Sequence, residues 1–386
     1  MKKHLATLVK VLVAAALVWF VLSQIETQDR LDQPGATADA PPIAVYGSLE
    51  GDWRGPDWVF TPADGGDPVT GPLPEGWRLQ PGFFTALRGL TWGWFALGTL
   101  LWGVLLVMAA VRWQWLLRAA DVPVSAGQAL RLCFIGYFFN NVMFGATGGD
   151  LVRAVMVTRG LEQNRVRAAL SVIVDRLIGL FALLTLAAIV LFILWQQDRL
   201  GEVRGLRDLA VAIYLVLGLV MVGAAAYLSQ RARQRLGLNW LLQRLPAQPL
   251  IHKLDDAITV YRSRRRVILG ALLWSLPLQV AGIFSFWAIG HALGAGLSIA
   301  DDFVIFPVVQ TASAVPLAPA GWGVGETLYG WFFQRFGSSF TLGVAVSVLF
   351  RLTTQVGYGL IGGLVWVASR ERRQGLPLKD PVPDES

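Results

Sequence analysis

The chain has 386 residues, 33 Lys+Arg against 26 Asp+Glu for a net charge of +7, and is 54% hydrophobic but only 15% charged. Soluble domains carry about 25% charged residues, so this composition excludes disorder, collagen and an ordinary soluble enzyme and points to a polytopic membrane protein. One cysteine (Cys133) and three scattered histidines (His4, His252, His291) exclude an internal disulfide, a thiolate cluster and a His-based metal site, so no metal or cofactor is expected.

The first apolar stretch, Val11 to Ile25, follows Lys2, Lys3 and Lys10. The small residues Ala36-Thr37-Ala38 lie too far beyond it for a good cleavage site. Residues 1–25 therefore read as an uncleaved signal anchor and first transmembrane helix, with a cleaved signal as the alternative. Residues 26–88 change character: they are rich in Pro and Gly and hold ten acidic against four basic residues. An acidic segment after a basic-flanked anchor belongs outside the cytoplasm. Runs such as Trp58-Val59-Phe60 suggest a small β-rich or irregular domain, with a loose loop as the alternative.

Long uncharged runs follow at 89–111, 177–197, 209–230 and 267–300, each long enough to cross a bilayer as a helix. A final helix fits 340–369, with Arg351 inside it. The loop 231–266 carries nine basic residues against Asp255 and Asp256, and is expected on the cytoplasmic side as amphipathic helices on an anionic membrane surface. It alone contributes +7, so the bulk charge reports orientation rather than nucleic-acid binding. The tail 370–386, with Arg370, Arg372 and Arg373, is expected inside as well, which places both termini in the cytoplasm of a bacterial inner membrane.

Two apolar stretches are interrupted. Residues 132–160 contain Asn140-Asn141, Gly148-Gly149-Asp150 and Arg153; residues 303–335 contain Pro316, Pro319 and the run Gly321-Trp322-Gly323-Val324-Gly325-Glu326. Gly and Pro break helices, and lipid cannot satisfy the backbone groups that a break releases. Both stretches therefore predict re-entrant hairpins. The order helix, hairpin with an acid, helix with an arginine occurs twice, and the spacings Asp150 to Arg176 and Glu326 to Arg351 nearly match. The fold class expected is an all-α polytopic membrane protein with about six transmembrane helices and two opposed re-entrant hairpins in an inverted repeat. Its parts are a first half 89–197, a linking helix 209–230, the basic loop 231–266 and a second half 267–369.

The motif Phe138-Phe139-Asn140-Asn141…Gly148-Gly149-Asp150-Leu151-Val152-Arg153 is similar to the signature of the lysylphosphatidylglycerol synthase transmembrane-region family, which is flippase-like. So are Val174-Asp175-Arg176-Leu177 and the Pro-x-x-Pro…Gly-x-Gly-x-Gly-Glu stretch. The resemblance covers roughly 89–369 and leaves out 26–88. This chain has Phe144-Gly145 where the family pattern has a proline before Gly-Gly-Asp. The resemblance implies movement of lipids across the membrane. In the synthases a soluble aminoacyl-transferase domain follows the membrane part; here 17 residues follow Ser369, so lipid aminoacylation is not expected.

Charge inside a membrane segment is costly and marks function by default. Asp150 and Arg153, three apart, share a helix face and read either as an ion pair that holds the hairpin or as part of a substrate path. Gly148-Gly149 before a helix start offers N–H groups to an anion such as a lipid phosphate. Asp175 and Arg176 face different directions. Arg351 is expected to pair with Glu326, beside Gly325. Asn140, Asn141 and Gln310 either line the same cavity or hydrogen-bond between helices. Arg112-Trp113 reads as the interfacial end of a helix, His291 as interfacial and Cys133 as inert packing. No nucleotide-binding loop and no nucleophile elbow occurs.

These residues predict translocation of an anionic phospholipid or a polyprenyl-linked lipid between leaflets, without a catalytic residue. An intramembrane transferase or hydrolase, and a non-catalytic scaffold, are the alternatives.

Overall fold

The computed structural model describes residues 19, 23–34, 42–142, 148–159, 161–198, 201, 205–228, 260, 261, 263–313 and 323–369. Most of the expected signal anchor, residues 143–147 and 314–322 of the two expected hairpins, most of the basic stretch 231–266 and the tail 370–386 lie outside the described residues. The chain divides into two compact units, residues 1–100 with 284–352 and residues 101–283 with 353–386.

In the first unit the acidic segment folds as a five-stranded antiparallel sheet, the β-rich option expected for it, beside an otherwise helical chain. The strands are β1 (Asp29–Gln33), β2 (Ile43–Gly51), β3 (Trp58–Pro62), β4 (Val69–Thr70) and β5 (Arg78–Gln80), in the order β4-β3-β2-β1-β5. Alternation explains it: Leu31, Trp58 and Phe60 point inward and form the core, while Asp57, Val59 and Thr61 point to solvent. At Gly47 an added Cβ would sit 2.3 Å from the Thr61 carbonyl oxygen, so this register requires glycine. The buried Asp29 carboxylate accepts hydrogen bonds from the N–H groups of Leu49 (2.8 Å) and Gly82 (2.7 Å) and from the Thr85 hydroxyl (3.1 Å). It thereby ties β2 to the short helix α1 (Phe83–Arg88). From the loop after β2, Arg54 donates to Thr91 Oγ1 (2.6 Å) and to the Ala292 carbonyl (3.0 Å).

Among the described residues, five helices are long and apolar enough to cross a membrane: α2 (Trp92–Ala119), α5 (Arg165–Gln196), α6 (Leu206–Leu228), α7 (Arg265–Ala292) and α10 (Phe340–Ala368). At 1.5 Å per residue, 28 residues rise about 42 Å, more than the roughly 30 Å of bilayer hydrocarbon. Apolar side chains on their outer faces are left exposed, among them Leu215, Leu219 and Val222 on α6 and Leu360 and Leu364 on α10. Such faces suit lipid rather than water.

Two pairs of shorter helices stand between the long ones: α3 (Ala126–Val142) with α4 (Gly148–Thr158), and α8 (Ile299–Ser313) with α9 (Val324–Arg335). The longest of the four rises only about 25 Å, so none crosses the hydrocarbon alone. The orders α2-α3-α4-α5 and α7-α8-α9-α10 are both long, short, short, long. The expected run 267–300 is not one helix: α7 stops at Ala292, and Gly294 and Gly296 follow with φ of +73° and +71°. The expected end of the first helix near Arg112 is also corrected, because α2 continues to Ala119. Helix α10 contains a π-helical turn, Leu352–Gly357, immediately after Arg351.

Within the second unit α3 and α4 pack antiparallel at backbone contact. A Cβ on Gly149 would lie 1.9 Å from the Gly136 carbonyl oxygen, and one on Gly136 would lie 2.7 Å from Arg153 Cδ. Gly362 of α10 meets the Phe134 carbonyl in the same way, at 1.9 Å. Small residues that admit a neighbouring backbone are the usual means of helix packing in lipid. The first unit's helices instead pack around Phe286, whose ring meets Tyr329, Phe306, Phe333 and Phe350.

Candidate functional site

The second unit gathers most of the predicted residues. Asn140, one turn before the end of α3, accepts the Gly149 N–H through Oδ1 at 2.7 Å. That N–H was expected to be open to an anion; the facing helix caps it instead, a correction that spacing along one chain segment does not reveal. Asn141 points elsewhere and donates to the Gln355 carbonyl at 2.7 Å. Gly148 and Gly149 are both buried at the start of α4.

Asp150 follows them and takes two guanidiniums. Arg153 Nη1 lies 3.4 Å from Oδ1, and Arg176 of α5 pairs with Oδ2. Arg153 stacks over the Trp113 ring at 4.2 Å, a cation–π contact, and its Nη2 lies 3.6 Å from Asp175 Oδ2. The other oxygen of Asp175 accepts from Arg112 Nε at 2.9 Å. Arg112 is fixed in turn by Ser275 Oγ, which accepts from Nη1 at 2.8 Å, and Trp113 donates to Ser171 Oγ at 3.0 Å. The result is a file of five charges of alternating sign: Arg176, Asp150, Arg153, Asp175, Arg112.

Arg153 stands at its centre, between the two carboxylates. Side-chain exposure falls along it from 40% at Arg176 through 24% at Asp150 and 13% at Arg153 to 8% at Asp175 and 7% at Arg112. Beside it lies a cavity of about 220 Å³ lined by Asn140, Asp150, Arg153, Asp175 and Arg176, with Tyr137, Cys133, Gly136, Leu106 and Ala109. Liquid water occupies about 30 Å³ per molecule, so the space suits a phosphate-sized head group and not a whole lipid. The Nε and Nη2 atoms of Arg153 are buried and have no hydrogen-bond acceptor among the described residues. Buried guanidinium N–H groups left without an acceptor favour an oxyanion.

Sequence reasoning missed Arg112 and Trp113, which it placed at the membrane surface. Both are buried. The apolar pattern resumes at Trp113 and runs through Leu117, and that continuation was the available signal.

In the first unit, Glu326 sits in the first turn of α9. Its Oε2 accepts the Gly323 N–H at 2.6 Å, its Oε1 lies 2.8 Å from Arg351 Nε, and Ser347 Oγ is 3.5 Å from Oε1. Glu326 is 3% and Arg351 6% exposed. A Cβ on Gly325 would lie 2.2 Å from Arg351 Nη2, so glycine lets the guanidinium lie on the backbone of α9. The pairing matches the spacing argument: in each unit an acid in the first turn of the second short helix meets an arginine on the next long helix. Gln310 is partly buried on α8. Glu326 and Arg351 form a buried ion pair.

The family model for the lysylphosphatidylglycerol synthase TM region matches residues 81–362. The UPF0104 membrane protein PH1989 of Pyrococcus horikoshii is 23% identical over 292 residues, which cover 71% of this chain and 87% of that protein. Two UPF0104 membrane proteins of Methanothermobacter thermautotrophicus are 23% and 24% identical over 301 and 270 residues, covering 72% and 64% of this chain and 84% and 77% of theirs.

Proposed function

The chain belongs to the lysylphosphatidylglycerol synthase TM region family, and from that premise we propose that it moves an anionic phospholipid or lipid-linked substrate between the leaflets of its membrane. The observation that carries this reading is the Arg153 guanidinium, whose buried Nε and Nη2 lack a hydrogen-bond acceptor among the described residues. Buried donors left without an acceptor are costly. The cavity admits a group of phosphate size beside the two unsatisfied nitrogens.

Within this reading Arg153 and Arg176 hold the head-group phosphate. Arg112 and Asp175 fix Arg153 from behind, and Trp113 holds its plane. Asp150 and Asp175 are each held by two guanidiniums. The short pairs α3–α4 and α8–α9 are re-entrant hairpins of an inverted repeat in this account, and the two halves alternate access to the site. The basic loop 231–266 faces the cytoplasm.

The test uses the purified chain in liposomes with fluorescent short-chain phosphatidylglycerol and its phosphatidylcholine counterpart. We expect the anionic analogue to cross faster, and Arg153→Gln to remove the difference. Liposomes in which neither analogue crosses faster than in protein-free controls would sink the proposal.

A further inference from the structure

A carboxylate outside the charged file has no evident role in it. Asp301 and Asp302 open α8. Asp301 does the capping: its Oδ2 accepts from the N–H (2.9 Å) and the hydroxyl (2.7 Å) of Ser298. Asp302 is the next residue and turns inward, 2% exposed, and its Oδ1 has no hydrogen-bond donor among the described residues.

Its surroundings are aromatic. Phe306, one turn on and on the same face, meets Phe286 with ring centroids 5.4 Å apart, and Phe286 stacks on Tyr329 at 4.5 Å. The Tyr329 hydroxyl is likewise buried and has no hydrogen-bond partner among the described residues. Three turns along α8 on the face of Asp302, the buried Ser313 hydroxyl also has none. Its Oγ lies 3.3 Å from where a Gly325 Cβ would be, which puts it beside Arg351. Unsatisfied polar groups therefore lie along one buried side of α8 and end at the Glu326–Arg351 pair. The charged and titratable groups acting on this stretch are Asp301 on the same helix, Tyr329 and Glu326 on α9, and Arg351 on α10. Arg351 is matched by Glu326, which leaves Asp302 uncompensated.

A bare carboxylate without donors is strongly disfavoured in such a place, whereas the neutral acid gains an O–H donor and loses its charge. We propose that Asp302 and Tyr329 form a proton-binding site, in which an Asp302 carboxylate oxygen takes a proton from water and returns it to water. Its use in driving lipid movement rests on the translocation reading given above; its existence does not.

The test is infrared spectroscopy of the full chain in lipid nanodiscs, in sodium-free choline buffer, as pH is raised. We expect a carbonyl-stretch band of a protonated carboxylic acid, shifted in D2O, that disappears in one titration. Asp302→Asn, an isostere of the neutral acid, loses this band; Tyr329→Phe moves the pH at which it disappears. Retention of the whole band in Asp302→Asn, or a band that ignores pH, overturns the proposal. So does displacement of the band by sodium at constant pH, which would mark a sodium site instead. In liposomes, a pH gradient is expected to change the rate for the anionic analogue in the wild type and to leave the rate in Asp302→Asn unchanged. An equal response in both overturns the coupling. A wild type that moves no analogue at all sinks the translocation reading, and the infrared titration still decides the site.

Discussion

At the scale of single residues, the charged file makes the sharpest predictions. Arg112 and Asp175 are both nearly inaccessible and paired at 2.9 Å. Removing Asp175 leaves Arg112 buried and unmatched, which costs about 3–5 kcal/mol; removing Arg112 leaves Asp175 with Arg153 and costs less. Asp175→Asn and Arg112→Gln are each expected to lower the thermal unfolding midpoint in detergent. The double variant Arg112→Met with Asp175→Leu is expected to regain most of the loss, because it removes both charges together. If the double variant is less stable than either single one, the pair is not the source of the effect. Arg153→Lys is a milder test of the site itself. Lysine keeps the charge but cannot lie flat on Trp113 or offer two fixed nitrogens, so anionic-lipid movement is expected to fall while stability holds. Much of this was legible in the sequence, since intramembrane charge stands out against apolar neighbours. Arg112 was not, because a charge that ends an apolar run looks like a membrane boundary until its partner on another helix is known.

Elements meet at glycines, and there the prediction concerns packing. Gly149→Ala places a methyl 1.9 Å from the Gly136 carbonyl oxygen, where only backbone can give way. Overpacking of this sort costs about 1–3 kcal/mol, and separation of α3 from α4 would also break the Asn140 bond to Gly149. The check is the unfolding midpoint beside that of Gly93→Ala, where an added Cβ meets nothing within 4 Å. Equal midpoints would contradict the backbone contact. The long helices were readable from uncharged runs, and the repeated order from the spacing of acid and arginine. The caps were not, because the group that satisfies Gly149 comes from a different helix. The π turn after Arg351 also left no mark that hydropathy could register. It interrupts the regular i→i−4 bonding of α10 beside a buried charge, and such turns recur at functional positions.

For the whole molecule, the proposed inverted repeat makes a topological prediction. Cys133 is the single cysteine, so its replacement leaves a blank background for single cysteines along 138–150 and 316–326. Impermeant thiol reagents are expected to reach the two stretches from opposite sides of the membrane. Labelling of both from the same side would remove the inverted arrangement and leave only a repeated order of elements. The sheet at residues 29–80 lies ahead of the family match, which begins at residue 81. Its alternation at Trp58 to Phe60 announced a strand. Its attachment was not readable, because it depends on the buried Asp29 carboxylate. Hydrogen bonds to charged groups contribute about 1.5–3 kcal/mol each, so Asp29→Ala is expected to expose residues 29–80 to protease while the helices stay intact. Unchanged proteolysis would mean that the sheet stands without that tie.

The fall in exposure from Arg176 to Arg112 gives the cavity an entrance and a closed end. On the translocation proposal, a lipid that uses it arrives head first, and its hydrocarbon chains stay in the surrounding bilayer. Such a site would measure charge and bulk at one end of its cargo and be blind to the other. Lipids that share a head group but differ in chain length or unsaturation should therefore compete on equal terms, while a sugar-enlarged or cationic head should be turned away at the door.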